Sequence, residues 1–438
     1  MKKLLMICHS FPPVLDVGAL RPAGFATYLP RYGWSAVVVT PKHPDVAMGI
    51  APEQTVFPHA EIIPSTSWNP VRGAMKILGM ERERFRQFHP VSLLNDSSDP
   101  PARNWLAFKI AKFIYNWLWI PDRANGWYPF ALREASRRIK QGDIQALFST
   151  SGPITNHLIA LRLKQRTGLP WVADYRDPLI EEMFTPARWK LQRRIQSAIL
   201  QAADRIIVAS DELRSMILDQ FPGQEEKYHV ICNGFEPELF QQIPKELPKK
   251  FTLGYVGSLL PNARDPKPVL RSLSELLAEG QIPPENFQLR IVGPSPRFCQ
   301  SLAQPYGLEP FLEAPGPVSH PESLKYMVQS HVLWMVVPKP FIISAKIFYY
   351  LGAGRPVLAV APLGGSLDQL LKQTGIGITL APDDIPGIKK VLVEWYRAYA
   401  ENKSLVFPKF ELIQQYDRSK QTGRLVQLLD ELCQGATP

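Results

Sequence analysis

The chain has 438 residues, 45% of them hydrophobic, a formal net charge of +10 and four cysteines. That length suits two or three domains, each able to bury a core; Cys8, Cys232, Cys299 and Cys433 are too dispersed for a metal site or a disulfide framework. The positive charge favours anionic partners. Without a helix-turn-helix, zinc-finger or RNA-binding signature it does not point to nucleic acid, and no run nears the roughly 18 apolar residues of a membrane-spanning helix.

The opening MKKLLMICHSFPP imitates a signal peptide, but its apolar run is short and ends at Pro12-Pro13 without a small-residue cleavage site. Leu4 to Cys8 therefore reads as a first strand, and the dispersed thiols fit a reducing cytoplasm. A loop from Ser10 to Leu20, a helix to about Arg31 and a strand from Ala36 to Thr40 complete a β-α-β opening, which predicts a parallel sheet. Gly18 lies just before this helix, either as a turn glycine or as a place where a ligand approaches the backbone N–H groups.

From about 65 to 125 the alternation lapses. On a helix over 103–119, Lys109, Lys112 and Asn116 form a narrow stripe, while Trp105, Phe108, Ile110, Phe113, Ile114, Trp117 and Leu118 cover most of the rest. Such a segment is either packed in a core or docked peripherally on an anionic membrane, where each lysine adds about 1 kcal/mol.

Regular alternation resumes with helix Tyr128 to Lys140, strand Ile144 to Ser149, helix Ile154 to Arg166 and strand Trp171 to Asp174. Helix Ala187 to Gln201, strand Arg205 to Ala209, helix Asp211 to Phe221 and strand Tyr228 to Cys232 follow. EPELFQQIPKELPKK then reads as a linker, so two domains are expected to meet near residue 240. A second unit starts with strand Phe251 to Val256, repeats the α/β scheme and ends in a helical tail from Phe410 to Cys433.

Several residues near predicted strand ends have side chains suited to chemistry. His157 follows Pro153 by four residues, which places a neutral imidazole near a helix N-terminus; the alternative is a satisfied core histidine. Asp174, Arg176 and Asp177 form either a self-paired turn or part of a cleft, with Asp174 facing hydroxyls of a ligand and Asp177 orienting Arg176. In YVGSLLPNARDPKP, Gly257 would admit a phosphate to the backbone and Arg264 could pair with a diphosphate. SAKIFYYLGAGRPVLAV reads as a short helix, a glycine turn and a buried strand. Lys346 in the first turn opposes the helix dipole by about 0.3–1 kcal/mol unless an anion binds there. Ser344 could cap this helix or donate to the same anion, and the bland reading of Lys346 is a solvated lysine.

KIFYYLGAGRPVLAV, followed by Gly364-Gly365 and TGIGITLAPDD, resembles the nucleotide-sugar-binding segment of family 4 glycosyltransferases, retaining enzymes of the GT-B fold. SGPITNH followed by GLPWVADYRDP resembles the run that places a histidine beside the donor sugar, which implies a catalytic set of His157, Asp174 and Arg176. FPP followed by Gly18 and Arg21 resembles the acceptor-side loop, with Arg21 facing an acidic group of acceptor or donor; IPDRANGW resembles a further loop of these proteins.

The resemblance implies an α/β, GT-B chain of two Rossmann-like domains with parallel sheets: 1–240 for the acceptor, 250–405 for the nucleotide sugar, and a helix in 406–438 crossing back to the first domain. Gly257, Ser258, Arg264, Ser344, Lys346, Tyr349, Gly365 and Asp368 would bind the nucleotide sugar. Two departures stand out. The family places an arginine right after the glycine and a lysine six residues beyond it; here those positions hold Ser258 and Arg264, leaving Lys267 or Lys346 as the replacement cation. The family's paired glutamates, which hold ribose and sugar, are replaced by Phe341 and Tyr349, and an acidic Glu by Asp368.

The expected activity is transfer of a sugar from a nucleotide diphosphate sugar to a glycan or lipid-linked acceptor, without metal or other cofactor, in cell-surface polysaccharide synthesis. The setting would be the cytoplasm, with peripheral contact at the inner face of the membrane. The alternative raised by the missing glutamates is a non-catalytic nucleotide-sugar or glycan-binding protein of a polysaccharide assembly complex; a two-Rossmann epimerase acting on the same nucleotide sugars is a third reading.

Overall fold

The computed structural model describes residues 1–13, 17–42, 57–68, 120–177, 186–259, 264–340 and 343–435. The chain forms two compact units, one of residues 1–231 with 422–438 and the other of residues 232–421. Segment 103–119, with its two readings of core or membrane surface, lies outside the described residues. Among the described residues no helix is long and apolar enough to cross a membrane.

The first unit is built on β1 (Lys2–Ile7), β2 (Trp34–Pro41), β3 (Ala60–Ser65), β4 (Ile144–Thr150), β5 (Trp171–Tyr175), β6 (Arg205–Val208) and β7 (Tyr228–Val230). These pair in the order β3-β2-β1-β4-β5-β6-β7, and every neighbouring pair is parallel. The helices are α1 (Val17–Tyr28), α2 (Tyr128–Ile139), α3 (Thr155–Thr167), α4 (Pro186–Ala202) and α5 (Asp211–Gln220). Strand β1 shows why the sequence reads as a continuous apolar run: Leu5 and Ile7 enter one core with Trp127, Leu147 and Trp171, while Leu4 and Met6 enter another with Phe25, Phe148 and Leu425. A strand buried on both faces has no polar side to alternate with. Helix α1 starts at Val17, so Gly18 lies in its first turn rather than in the preceding loop.

The second unit repeats the plan with β8 (Phe251–Val256), β9 (Phe287–Val292), β10 (Leu312–Gly316), β11 (Val332–Val336), β12 (Val357–Val360) and β13 (Gly377–Leu380), ordered β10-β9-β8-β11-β12-β13 and again parallel. Its helices are α6 (Pro237–Gln241), α7 (Lys267–Ala278), α8 (Pro296–Ala303), α9 (His320–Val328), α10 (Lys346–Ala353), α11 (Ser366–Thr374), α12 (Ile385–Ala400) and α13 (Phe410–Ile413). The last helix, α14 (Arg418–Gln434), begins in this unit and gives residues from Thr422 onward to the first.

The linker expected around residue 240 is in part structured. Pro237–Gln241 is helical and belongs to the second unit, where Phe235 and Phe240 form an edge-to-face pair with ring centroids 6.0 Å apart. That pair fills the space over Gly352, whose added Cβ would lie 2.5 Å from the Phe240 ring. Proline and charge in the sequence mark the exposed positions of this stretch and hide its two anchoring aromatics.

Candidate functional site

Both sheets reverse their winding direction at one place, between β1 and β4 in the first unit and between β8 and β11 in the second. In open α/β sheets the crevice beyond the strand ends at such a point takes the ligand.

In the second unit that crevice is lined by backbone. Gly257 directly follows β8 with φ +123° and donates its N–H to Val292 O at 2.9 Å. Gly293 follows β9 with φ +119°, and a Cβ there would come within 3.0 Å of Gly257 O. These left-handed conformations favour glycine, and the two glycines open the strand ends. Lys346 projects from the first turn of α10 to this spot: a Cβ on Gly257 would lie 2.9 Å from its Nζ. The Lys346 amine donates to Tyr255 Oη at 2.7 Å and lies 3.9 Å from the Tyr255 ring centroid, while Tyr255 Oη donates to Ser258 O at 2.8 Å. Burial, and then the charge of Arg264, hold the Lys346 amine well below the ordinary lysine range. Burial pushes the Tyr255 phenol up to about 12.

Arg264 donates through Nη1 to both Ser258 O and Ser258 Oγ, each at 3.2 Å. Gly257, Ser258, Arg264 and Lys346 thus come together. Of the two lysines read as replacement cations, only Lys346 reaches this group; Lys267 is exposed and lies 3.8 Å from its neighbour Asp265. Ser344 does not cap α10, whose cap position is Ala345 without a side-chain bond; Ser344 instead offers its carbonyl to Ile347 N at 3.1 Å. Asp368 points inward: its Oδ2 accepts from Gly364 N at 2.8 Å and from Lys372 Nζ at 2.7 Å, fixing the turn before α11. Burial opposes ionisation there, but Lys372 and the Gly364 N–H hold the carboxyl below its ordinary value. Gly365 is needed for close approach, since a Cβ would lie 2.6 Å from Pro340 O.

In the first unit the predicted residues divide between a buried frame and a histidine. Asp174, at the end of β5, is fully buried and accepts from Arg21 Nε at 3.1 Å, from Arg21 Nη2 at 2.9 Å and from Thr150 Oγ1 at 2.7 Å. Arg21 is 2% exposed and also donates to Ile231 O at 2.8 Å. The two expected ligand-facing charges therefore neutralise each other inside the wall. Arg176 donates to Gly18 O at 2.7 Å and to Ser151 O at 3.1 Å, joining the loop after β4 to the start of α1; it is these carbonyls, rather than Asp177, that orient it.

His157 lies in the first turn of α3, fully buried, with Nδ1 2.7 Å from Ser149 Oγ. Ser149 also accepts from Trp171 Nε1 at 2.8 Å, and the Tyr175 ring lies 4.5 Å from the imidazole. His157 Nε2 is buried without a hydrogen-bond partner. Burial pushes this imidazole down to about 3, with Asp174 opposing and Arg176 adding to the effect, so it is neutral at neutral pH. Asp122 was not singled out by sequence. It caps the helix that carries His157, accepting from Thr155 N at 2.9 Å and Thr155 Oγ1 at 2.7 Å; the available signal was its place in IPDRANGW.

The depressed His157 value has a measurable consequence. A folded value near 3 against an ordinary 6.5 means that the unfolded chain binds the extra proton first. Stability is then fully present above about pH 6.5 and lost as pH falls toward 3. His157→Phe should flatten this part of the melting-temperature profile, read by circular dichroism between pH 7 and 4. An unchanged slope would show that the histidine is not held neutral by burial.

Among the described residues no three His, Cys, Asp or Glu side chains gather as a metal site would require. Residues 82–239 match the family model of Glycosyltransferase Family 4. The resemblance read from the motifs therefore has an independent match in the first unit. A sucrose-phosphate synthase from Thermosynechococcus elongatus is structurally similar at 18% identity, with 100% of each chain covered and a TM-score of 0.61. HepE of Anabaena, solved with UDP and glucose, is similar at 15% identity, covering 98% of this chain and 100% of its own, with a TM-score of 0.62. A glycosyltransferase from Rickettsia africae is similar at 12% identity with 99% of both chains covered and a TM-score of 0.61. No curated protein sequence matches. The two parallel Rossmann-like sheets are those of the GT-B glycosyltransferase fold.

Proposed function

We propose that the chain is a retaining glycosyltransferase that takes a sugar from a nucleotide diphosphate sugar held by the second unit and delivers it to a glycan or lipid-linked acceptor. The observation that carries this reading is the Lys346 amine, held by Tyr255 against the bare Cα of Gly257 beside Arg264. A buried amine with a nearby second cation lacks the anion that would justify its burial, and a diphosphate supplies it. When the anomeric bond breaks, the sugar gains oxocarbenium character and the diphosphate gains negative charge. Lys346, Arg264 and the first-turn N–H groups of α10 would stabilise that charge in place of a metal. In the first unit, neutral His157 can exchange one hydrogen bond with a hydroxyl through Nε2. HepE carries UDP and glucose, which makes uridine the first base to try. Cell-surface polysaccharide synthesis at the inner face of the membrane is the setting this reading implies.

The test is a thermal-shift panel of UDP, GDP, ADP and CMP, alone and as sugar conjugates. Ligand at 100 times its dissociation constant adds about 2.7 kcal/mol, a shift of several degrees in a unit of this size. The expected result is a selective shift that is lost in Arg264→Ala, together with donor hydrolysis or transfer that falls at least tenfold. No shift with any nucleotide would overturn the reading. Because aromatic residues occupy the positions of the expected glutamates, a second reading is a binding protein, and a selective shift without any turnover would favour it.

A further inference from the structure

The net charge of +10 is more than the donor site accounts for, and part of the excess is concentrated on one face of the first unit. Helices α2 and α3 pack against each other and carry six arginines and lysines against one carboxylate, Glu134. Two of those cations are neutralised within the fold: Arg138 pairs with Glu61 and Asp143, and Lys164 with Asp204. The other four are exposed. Arg133, Arg137 and Lys140 recur at i, i+4 and i+7 along α2 and its cap, and with Arg166 from the last turn of α3 they line one groove of about 490 Å³. Arg137 has Glu134 as an i,i+3 partner at 2.7 Å; among the described residues Arg133, Lys140 and Arg166 have no ion pair.

Cations at helix C-termini complement the dipole, which accounts for Arg137, Lys140 and Arg166 but not for Arg133 in the middle of α2. Nor does it account for Ser136. This residue lines the same groove, and its Oγ is buried with no hydrogen-bond partner. Inside a helix a serine or threonine can return its hydroxyl to the carbonyl four residues back, as Thr27, Thr167, Ser272 and Thr374 do here at 2.7–2.9 Å. Ser136 has the same option at Leu132 and does not take it. A buried polar atom left unpaired calls for an explanation, and here the open group is a donor among four cations.

The chemistry of the missing ligand follows from the charge. Four cations, set against one carboxylate and about half a negative charge at each helix C-terminus, leave an excess of about +2. A single carboxylate fills half of that, whereas a diphosphate or a doubly ionised phosphate matches it and offers the oxygens that arginine forks and a hydroxyl donor need. We propose that the groove between α2 and α3 is an anion site of the first unit that binds a phosphate-bearing ligand through Arg133, Arg137, Lys140, Arg166 and the Ser136 hydroxyl. A free phosphorylated compound and the headgroup of an anionic lipid present the same chemistry. Tyr128 and Leu132, toward the start of α2, add apolar surface for the rest of either ligand. The site goes beyond the donor reading and stands without it.

The test titrates inorganic pyrophosphate into the full chain by calorimetry, in an Arg264→Ala background so that the second unit does not mask the groove, and in parallel sediments the chain with vesicles of equimolar phosphatidylglycerol and phosphatidylcholine or of phosphatidylcholine alone. Arg133→Gln with Arg137→Gln is expected to weaken pyrophosphate or phosphatidylglycerol binding at least tenfold. Lys190→Gln with Arg194→Gln, which removes the same charge from the exposed face of α4, is expected to leave it unchanged. Ser136→Ala should weaken pyrophosphate binding about tenfold, the worth of one hydrogen bond to a charged group, without lowering the melting temperature, because alanine suits a helix interior and removes an unpaired hydroxyl. Groove-dependent binding of pyrophosphate alone assigns the site to a free phosphorylated compound, and groove-dependent binding to the phosphatidylglycerol vesicles alone assigns it to a lipid headgroup. Binding that survives the paired groove variant, or that falls equally with the α4 pair, would overturn the proposal, as would no binding in either arm.

Discussion

Lys346→Met is expected to lower turnover by about 10²–10³, the range seen when one preorganised donor to a developing anion is removed, and at the same time to raise the melting temperature of the ligand-free protein. The opposite signs follow from its position. The amine is buried against Tyr255 and Gly257 and repelled by Arg264, so its folded-state value lies below the ordinary 10.5. A group lowered in this way costs stability below that value, and the cost grows as pH falls. Methionine keeps most of the volume and removes the charge, a replacement that is often stabilising. Melting curves at pH 7 and pH 9.5 should therefore differ less in the variant than in the parent. A variant that loses stability as well as turnover would show that Lys346 is a structural residue.

The largest loss of stability is expected at Asp174→Ala. It removes the carboxylate that accepts from Arg21 Nε and Nη2, at a guanidinium only 2% exposed. Breaking one side of a buried pair costs about 3–5 kcal/mol. At roughly 2–4 °C per kcal/mol for a unit of this size, the melting temperature should fall by about 6–20 °C. The double variant Arg21→Met, Asp174→Leu should recover most of that loss, because no charge is then left buried. If the single variant melted within 2 °C or so of the parent, the pair would not be the frame that the geometry makes it.

The parts of this molecule that are legible from sequence are those whose burial leaves a pattern. Strand Phe251–Val256 and the buried strand at Val357–Val360 are read directly because each is an apolar run buried on both faces. Strands β3, β10 and β13 are not read, and all three are sheet edges. Ala60–Ser65 has half its residues exposed and contains Pro64, and Leu312–Gly316 contains Pro315, features that edges tolerate and interiors do not. At the site, the sequence brings out Gly257, Arg264 and Lys346 because glycine and charge are conspicuous. It cannot show that Arg21 and Asp174, 153 positions apart, cancel each other, nor that Glu236 meets Arg418. Those are long-range pairings made by topology, and composition and local spacing carry no trace of them.

The placement of residues 422–438 in the first unit also has a temporal meaning. Leu425, Val426, Leu428 and Leu429 complete the core that holds Leu4, Met6, Trp34 and Phe148. Strand β1 thus waits for α14, while residues 232–421 are synthesised in between. At about 5–20 residues per second that interval is on the order of 10–40 s. During it the face awaiting Leu425 and Leu429 is apolar and uncovered, an interval in which a newborn chain is open to aggregation or to capture by a chaperone. The second unit, continuous in the chain, carries no such delay.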